Sequence, residues 1–212
     1  MKEQIIYSPQ MFNSFAQCPL KYYFKYEKCI QAPQLDTNFL TGKNIHALAA
    51  YYLKGEDISL FNLSEKEKNM FTTLLDMPFF KLKTERVESN IACKINDFWI
   101  GGRIDALVKN ESEEYFILDY KTGEIPNNAK YDFQTIIYLL CCDKLLEQYK
   151  QLSFVYINVR TGKYEKIMLN DDLKHKYVEK IKNIHEQILK YSKSNQSKVA
   201  KCDFCEYSKI CV

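Results

Sequence analysis

Two short segments in the middle of the chain combine acidic and basic residues in an order that suits metal-dependent hydrolysis. Gly-Gly-Arg-Ile-Asp ends at Asp105, and Ile-Leu-Asp-Tyr-Lys-Thr-Gly contains Asp119 and Lys121. If both are strands of an antiparallel hairpin with its turn centred on Ser112, Asp105 and Asp119 lie directly opposite one another, with Cβ atoms about 5 Å apart. Lys121 then shares their face, because side chains alternate along a strand.

Two carboxylates at this distance repel each other, which destabilises a sheet by up to about 1 kcal/mol. A divalent cation between them would remove the repulsion, and hard oxygen ligands suit Mg²⁺ or Mn²⁺. The ammonium group of Lys121 could then orient or activate a water molecule for phosphodiester hydrolysis. A solvated pair is the alternative interpretation, but it does not explain an Asp between Leu118 and Tyr120 in a strand otherwise suited to burial.

A second set of candidate ligands is the Cys-x₂-Cys-x₅-Cys pattern of Cys202, Cys205 and Cys211. Two thiolates separated by two residues can bind one metal centre without backbone strain, and a fourth ligand must then come from elsewhere. Four thiolates hold either a 4Fe-4S cluster or a zinc ion, and the spacing alone does not distinguish them. Three other cysteines are interpreted as small apolar core residues: Cys93, Cys141 and Cys142.

Together these motifs resemble the RecB-like branch of the PD-(D/E)XK nuclease superfamily. Gly-Arg-Ile-Asp is followed, 14 residues after its Asp, by Asp-Tyr-Lys-Thr-Gly. Gly42-x-x-x-His46 is similar to the upstream helix motif of that branch. Gln134-x-x-x-Tyr138 is similar to its downstream motif, whose two side chains lie one helical turn apart. The motifs cover nearly the whole chain.

The resemblance implies roles for particular residues. Mg²⁺ or Mn²⁺ would be bound by three side chains and one main-chain carbonyl, those of His46, Asp105, Asp119 and Tyr120. Lys121 would be the catalytic lysine beside the two acids, and Gln134 and Tyr138 would support that lysine or the substrate phosphate. A further acid of the family is matched by either Glu85 or Glu88, and the sequence does not decide between them.

The resemblance also implies an iron–sulfur cluster. Members of this branch that carry a 4Fe-4S cluster use one N-terminal and three C-terminal cysteines, which here are Cys18, Cys202, Cys205 and Cys211. Cys29 is an alternative to Cys18, and zinc is an alternative to the cluster. The expected role is structural, since joining residue 18 to residue 202 closes a long loop, worth on the order of 4 kcal/mol by chain entropy.

The activity that the resemblance implies is metal-dependent hydrolysis of DNA, by an exonuclease acting on single-stranded DNA or DNA ends. The most similar group is the CRISPR-associated exonucleases, so a CRISPR integrase complex is an expected partner. One alternative is the nuclease of a recombinational repair complex, beside a separate helicase. Another is a non-catalytic iron–sulfur subunit that binds DNA. The Gly-x-x-x-x-Gly-Lys-[Ser/Thr] pattern of ATP motors does not occur in the sequence.

Periodicity and capping signals predict the elements that position these residues. A helix is predicted to start at Ser8-Pro9, and others to cover residues 41–53, 64–76, 132–149 and 171–191. Strands are predicted at residues 88–95, 98–108, 115–121 and 152–159. This order predicts an α/β or α+β core with an N-terminal helical part. The resemblance narrows it to an α/β, restriction-endonuclease-like core, a mixed central sheet flanked by helices, with a C-terminal Cys-rich iron–sulfur tail.

We expect a single domain over residues 1–212. Within it, a helical part, a nuclease core and a cluster-binding tail completed by Cys18 are predicted at residues 1–80, 85–191 and 199–212, respectively. Residues 192–198 (Ser-Lys-Ser-Asn-Gln-Ser-Lys) have the composition of a linker. Between residues 21 and 28 four aromatic side chains stand next to three lysines, a pattern that suits either stacking on single-stranded DNA or a helical core with lysines folded over it.

The composition of the chain excludes several classes of protein. With 212 residues, 46% of them hydrophobic, the chain can bury a substantial core and is neither fibrous nor generally disordered. The 30 basic and 27 acidic residues leave a charge of +3, too small to indicate nucleic acid by itself. No apolar run is long enough for a membrane span and no secretory signal is visible. We therefore expect a cytoplasmic protein without a membrane partner, whose eight cysteines are thiols or metal ligands.

Overall fold

The computed structural model describes residues 5–31, 38–191, 205–208 and 210–211. The predicted linker at 192–198 and the candidate ligand Cys202 lie outside these residues. Within the described ranges, no helix is both long enough and apolar enough to cross a membrane.

Helices and strands follow one another along the chain much as the sequence predicts. The helices α1 to α6 are Pro9–Gln17, Pro19–Tyr22, Asn38–Leu53, Glu65–Asp76, Phe133–Leu145 and Asp171–Lys190. The strands β1 to β6 are Ile6–Tyr7, Lys83–Ile95, Phe98–Lys109, Glu114–Lys121, Gln151–Asn158 and Tyr164–Met168. A π-helical turn follows α2, and two 3₁₀ turns precede β2 and α5, at Tyr23–Glu27, Pro78–Lys81 and Ala129–Tyr131.

Strand β3 is the centre of a mixed sheet, which has six strands within the described residues. Strand β2 runs antiparallel to β3 along one edge. The other edge of β3 pairs with β4, antiparallel, and with β1, parallel. Strand β5 lies parallel to β4, and β6 pairs antiparallel with β5. The connection between the parallel strands β4 and β5 contains α5, as such crossovers usually contain a helix.

Helices cover both faces of this sheet. On one face α1, α5 and α6 contribute to a large apolar cluster, which includes the fully buried Phe12 and Tyr177. On the other face α3 and α4 form a second cluster around Ile45 and Leu74, which are also fully buried. The predicted α/β fold, with a mixed sheet flanked by helices, is therefore confirmed. The helices of the first 80 residues are divided between the two faces.

Local capping signals fix where the helices next to the site begin. The Ser64 side chain accepts a hydrogen bond from the Glu67 main-chain N–H, and the Glu67 carboxylate accepts one from the Ser64 N–H. This is the capping box that the sequence predicts at the start of α4. The Asp132 carboxylate accepts a hydrogen bond from the main-chain N–H of Gln134, at 2.8 Å, and so caps α5. Gln134 is thereby fixed in the first turn of α5.

Several features differ from the predicted elements, among them strand β2, which begins at Lys83, five residues before its predicted start at residue 88. Helix α5 ends at Leu145, four residues before the predicted end, because Leu146 takes an extended conformation and caps the helix through its main-chain N–H. Strand β1 was not predicted, since it has only two residues. Strand β6 was not predicted either, because it is an edge strand in which four of five side chains are exposed, so it lacks an alternating apolar pattern.

Two of the four aromatic residues between positions 21 and 28 belong to the core. Tyr22 and Phe24 are buried. The ammonium group of Lys25 lies 5.5 Å from the centre of its neighbouring Tyr26 ring, and that of Lys28 lies 5.4 Å from the Tyr23 ring. Of the two interpretations, the helical core with lysines folded over rings describes these contacts.

Candidate active site

The two acids of the predicted hairpin lie opposite one another, directly beyond the last paired residues of β3 and β4. Residues of the two strands pair up to Ala106 and Leu118, in a register that is symmetric about residue 112. Asp105 and Asp119 are the next residues on each strand, so the same register sets them across from each other. The hairpin predicted from the sequence, with its centre at Ser112, is the one observed.

Strand β2 adds a third acid to this row. The residues on either side of Glu88 pair with the residues on either side of Asp105, which sets Glu88 across from Asp105. Glu88 has a φ of +46°, which is uncommon for a residue with a side chain. Three neighbouring strands therefore present carboxylates in the order Glu88, Asp105, Asp119.

Helix α3 packs on the same face of the sheet as α4 and brings His46 next to these three acids. Its Nε2 donates a hydrogen bond to the main-chain carbonyl of Tyr120, at 3.0 Å, and its Nδ1 lies 3.1 Å from a carboxylate oxygen of Asp105. The second Asp105 oxygen accepts a hydrogen bond from the Tyr120 main-chain N–H, at 2.9 Å. Asp105 thus links α3 to β4, and the Tyr120 carbonyl predicted as a ligand faces the histidine.

Asp119 and Lys121 form an ion pair beside the three-strand row. The Lys121 Nζ lies 2.8 Å from Asp119 Oδ2, with only 5% of the Asp119 side chain exposed. Gln134 of α5 bridges the pair, since its amide nitrogen donates to Asp119 Oδ1 and its amide oxygen accepts from Lys121 Nζ at 2.9 Å. Each of the three side chains therefore contacts the other two.

Tyr138, one turn after Gln134 on α5, fixes the strand that carries Asp105. Its hydroxyl donates a hydrogen bond to the main-chain carbonyl of Arg103, at 2.8 Å. Its ring lies against Gly102, where a Cβ atom would come within 2.9 Å of the ring. Gly102, the second glycine of the Gly-Gly-Arg-Ile-Asp segment, is needed because the Tyr138 ring lies so close to the backbone. Tyr138 therefore positions β3 through contacts with its main chain.

The carboxylates that converge in this site shift one another's pKa values. Burial raises the pKa of Asp119 to about 6, the charge of Lys121 opposes this rise, and the charge of Asp105 adds to it. Burial and the charge of Asp105 also raise the pKa of Glu88. For His46, burial alone would lower the pKa, but the hydrogen bond and charge of Asp105 outweigh it and raise the pKa. The site therefore concentrates negative charge that a cation would stabilise.

His46, Glu88 and Asp105 are the one set of three metal-ligand side chains that converges among the described residues, with ligand atoms within 4.8 Å of one another. Glu88, not Glu85, is thus the acid at the site, and Glu85 forms ion pairs with lysines of β2 and β3 instead. Asp119, predicted as a ligand, lies next to this set, and its oxygens contact Lys121 and Gln134.

The candidate site opens into a cleft of about 970 Å³. All the residues that the sequence predicts for catalysis and metal binding line it, namely His46, Asp105, Asp119, Tyr120, Lys121, Gln134 and Tyr138. Glu88 and Arg103 line it as well, and Arg103 Nε lies 2.9 Å from the Glu88 carboxylate. The predicted set is therefore assembled around one open space large enough for a substrate.

The described part of the cysteine tail packs on the N-terminal helices. Glu206 lies 3.1 Å from the Lys21 ammonium group, and the Tyr207 hydroxyl donates to the main-chain carbonyl of Ile30, at 2.9 Å. The tail residues next to Cys205 therefore contact the segment that contains Cys18 and Cys29. The sulfur atoms of Cys18, Cys205 and Cys211 do not converge within 4.8 Å in the described residues, and Cys202 lies outside these residues.

Two of the solved structures that share this fold are similar to this chain over almost its whole length. One is "Putative exonuclease" from Eubacterium rectale, with a TM-score of 0.64 and 11% sequence identity over 98% of this chain and 88% of that one. The other is SSO0001, with a TM-score of 0.52 and 18% identity over 100% of this chain and 87% of that one. Likeness at these identities concerns the fold alone. No curated protein matches the chain significantly.

The sequence itself matches the family model of the PD-(D/E)XK nuclease superfamily over residues 6–212. This range includes all six strands, the converging acids and the predicted catalytic lysine. Because the match extends over almost the entire chain, it covers the fold and the site together. The chain therefore belongs to the PD-(D/E)XK nuclease superfamily.

Proposed function

We propose that this protein is a divalent-metal-dependent deoxyribonuclease that hydrolyses phosphodiester bonds in single-stranded DNA or at DNA ends. The observation that carries the proposal is the convergence of His46, Glu88 and Asp105 next to the interlocked Asp119, Lys121 and Gln134. One imidazole and two carboxylates form a ligand set, and a lysine lies immediately beside it. Membership of a nuclease superfamily agrees with this chemistry.

The ligand set suits a hard divalent cation. Carboxylate and carbonyl oxygens are the donors that Mg²⁺ and Mn²⁺ prefer, and imidazole accepts Mn²⁺ as well. The charge of Asp105 raises the pKa of both Glu88 and Asp119, so added positive charge would relieve a repulsion already present. When bound, Mg²⁺ or Mn²⁺ supplies polarisation of the scissile phosphate and lowers the pKa of a water molecule.

Lys121 is the group we assign to orienting the attacking water and the phosphate. Its ammonium group is held between a carboxylate of Asp119 and the amide oxygen of Gln134, so it is fixed at the border of the acidic set. About a quarter of its side chain (28%) stays exposed to the cleft. A fixed and accessible cation at this place can contact a phosphate oxygen without rearrangement.

Substitution of the interlocked pair tests the function. We expect Asp119→Asn and Lys121→Met each to lower the rate of cleavage of labelled single-stranded DNA in Mn²⁺ by at least about a hundredfold. The measurement is product formation in single turnover, with chelation of the metal as a second way to stop the reaction. Both substitutions preserve side-chain size, so chemistry is changed more than packing.

The matched control is an ion pair away from the cleft in which the carboxylate is largely buried and the lysine is partly exposed. Asp143 lies 2.7 Å from Lys174, and its side chain is 9% exposed. Asp143→Asn therefore removes a comparable pair and is expected to retain cleavage. If Asp119→Asn and Lys121→Met cleave as fast as this control, the proposed active site is wrong. Binding of DNA without cleavage by the wild type would favour the non-catalytic subunit.

We further propose that Cys18, Cys202, Cys205 and Cys211 hold a 4Fe-4S cluster, as in the iron–sulfur members that the sequence resembles. Support comes from the tail contacts, because Glu206 and Tyr207 attach the segment around Cys205 to residues close to Cys18. The side chains of Cys18, Cys205 and Cys211 are all partly exposed. Zinc at the same cysteines is the alternative that metal analysis distinguishes.

The biological setting rests on the resemblance alone. CRISPR adaptation with an integrase complex is the setting we favour, and recombinational repair beside a separate helicase is the alternative. Neighbouring integrase or helicase genes would distinguish the two.

A further inference from the structure

The cleft continues beyond the acidic centre along one side of α3. Lys43, Tyr51 and Lys54 line it together with His46. Lys43, His46 and Tyr51 belong to α3 and Lys54 is the first residue after it, so this wall of the cleft follows the helix to its C-terminal end. With a rise of about 1.5 Å per residue, Tyr51 and Lys54 lie roughly 7 and 12 Å from His46 along the helix axis. They are thus close to the acidic centre but outside it.

Tyr51 presents an aromatic ring in this wall. The residue is 42% exposed, and its ring is held edge-on by Phe61, with ring centres 5.2 Å apart and planes at 78°. A large ring that is supported on one side and open on the other can stack with a planar ligand. Tyr51 is therefore fixed by a local contact while much of its surface faces the cleft and solvent.

Lys54, the residue that follows the end of α3, adds positive charge beside the acids. It is exposed and lines the same cleft as Glu88 and Asp105. Arg103 lines the same cleft, with 66% of its side chain exposed. The cleft therefore combines an acidic centre with cations and an aromatic ring at its side.

We propose that Tyr51 and Lys54 form a positioning subsite for an unpaired part of the substrate strand, an inference that rests on the proposed nuclease function. A nucleobase would stack on the Tyr51 ring, and Lys54 would contact a backbone phosphate. Bases of a duplex stack on one another, so a ring in the cleft wall selects unpaired nucleotides. The subsite recognises no base sequence, because every base has a face that can stack.

The stacking part is tested by affinity for a fluorescein-labelled oligodeoxythymidylate, measured by anisotropy with Ca²⁺ in place of the catalytic metal. We expect Tyr51→Leu to weaken binding about tenfold and Tyr51→Phe to restore it, because phenylalanine keeps the ring. Affinity for a duplex of the same length should change less. The matched control is Tyr164→Leu, since Tyr164 is 51% exposed and is held edge-on by Phe79 outside the cleft.

The phosphate part is tested by salt dependence. We expect Lys54→Met to weaken single-strand binding and to lower the slope of log affinity against log salt concentration by about 0.7, the contribution of one phosphate contact. A residue with a purely structural role would not change this slope. Lys66→Met, at an exposed lysine of α4 outside the cleft, should keep the wild-type slope.

The outcomes separate this subsite from the proposed function. Tyr51→Leu that binds the single strand as tightly as Tyr164→Leu, or Lys54→Met with an unchanged slope, would overturn the subsite. Cleavage of a small chromogenic phosphodiester in Mn²⁺, lost in Asp119→Asn, would show that the nuclease function stands without it. Wild-type protein that neither binds the oligonucleotide nor cleaves the diester would overturn both.

Discussion

Gln134 occupies the position on which the candidate catalytic pair depends. Its side-chain amide is a donor and an acceptor at once, so it can satisfy Asp119 and Lys121 together. A carboxylate in its place would add a fourth acid, and an apolar side chain would leave both partners without this contact. The amide therefore fixes the lysine while leaving the charge of the pair unchanged.

From this contact we predict the effect of Gln134→Met, which keeps length and removes both hydrogen bonds. Side chains that orient catalytic groups typically contribute tenfold to a hundredfold, so kcat should fall by about that factor with little change in KM. Lys121→Met should reduce kcat further, because it removes the cation itself. Steady-state kinetics on single-stranded DNA measure both.

The control for this substitution is Gln187→Met, on an exposed part of α6, which should retain wild-type kcat. If Gln134→Met retains both the kcat and the KM of the wild type, Lys121 does not need the amide for its position, and Gln134 is no part of the site. A rise in KM alone would instead assign Gln134 to substrate binding.

At the scale of residues, the sequence predicts what a simple hairpin register can place. Asp105 and Asp119 are symmetric about Ser112, and Lys121 follows by alternation. Glu88 could not be chosen over Glu85 in this way. The pairing of β2 with β3 shifts register between Thr84 and Arg86, and Glu88 itself has a positive φ. Counting residues along β2 therefore does not predict which of Glu85 and Glu88 lies at the site.

At the scale of elements, the site is made where α3 and α5 meet the middle of β2 and β3 and the C-terminal end of β4. Each of β2, β3 and β4 contributes one acid, α3 contributes His46, and α5 contributes Gln134 and Tyr138. The position of these strands relative to α6 depends in part on His185. Its ring stacks on Phe98 at the start of β3, with centres 3.6 Å apart, and lies 4.9 Å from Tyr7 of β1.

The packing of His185 predicts a pH dependence of stability. Burial lowers its pKa, and the charges of Asp97 and Glu186 oppose this only in part. The unfolded chain titrates near 6.5, so on acidification it takes up the proton before the folded protein does. Stability that is present above about pH 6.5 should therefore decrease as the pH falls towards the lower pKa of the folded state.

Thermal unfolding of wild type and His185→Phe at pH 7 and pH 5 measures this contribution. Phenylalanine keeps the stack on Phe98 without a titrating group, so its melting temperature should fall less on acidification than that of the wild type. His175→Gln, at an exposed position of the same helix, should behave as wild type. An equal fall in all three proteins would show that His185 does not contribute.

The elements that the sequence failed to predict lack the signals on which prediction depends. Nothing after Leu145 marks the end of α5, because apolar Leu146 follows and the first glycine is far downstream. Strand β1 is too short for any periodicity, and β6 exposes most of its side chains. In contrast, Ser8, Ser64 and Asp132 all cap helices near where their side chains predict.

At the scale of the whole molecule, the tail and the N-terminal helices lie together although they are far apart in sequence. The Lys21–Glu206 ion pair and the Tyr207–Ile30 hydrogen bond join segments separated by more than 170 residues. The ring of Tyr207 also lies 5.8 Å from that of Phe24. Surface ion pairs contribute little to stability, so these contacts alone bind the tail weakly.

A cluster held by Cys18 would make this connection covalent, which predicts distinct effects of two neighbouring cysteines. We expect Cys18→Ser to lose most bound iron and to lower the melting temperature by up to about 10 °C, the upper limit for closing so long a loop. Cys29→Ser should retain iron, because the Cys29 side chain is exposed and its thiol donates to the main-chain carbonyl of Tyr26. Both are measured on protein purified without oxygen, by iron and sulfide content and by thermal unfolding.

The two cysteines lie on the same segment against which the tail packs, so the comparison separates ligation from disturbance of that segment. Retention of iron in Cys18→Ser with its loss in Cys29→Ser would assign the fourth ligand to Cys29. Zinc in the wild type, without iron or sulfide, would replace the cluster by a tetrahedral site and keep the same prediction for stability. Protein without either metal, but with the stability of the wild type in every cysteine variant, would show that the weak contacts of Glu206 and Tyr207 hold the tail unaided.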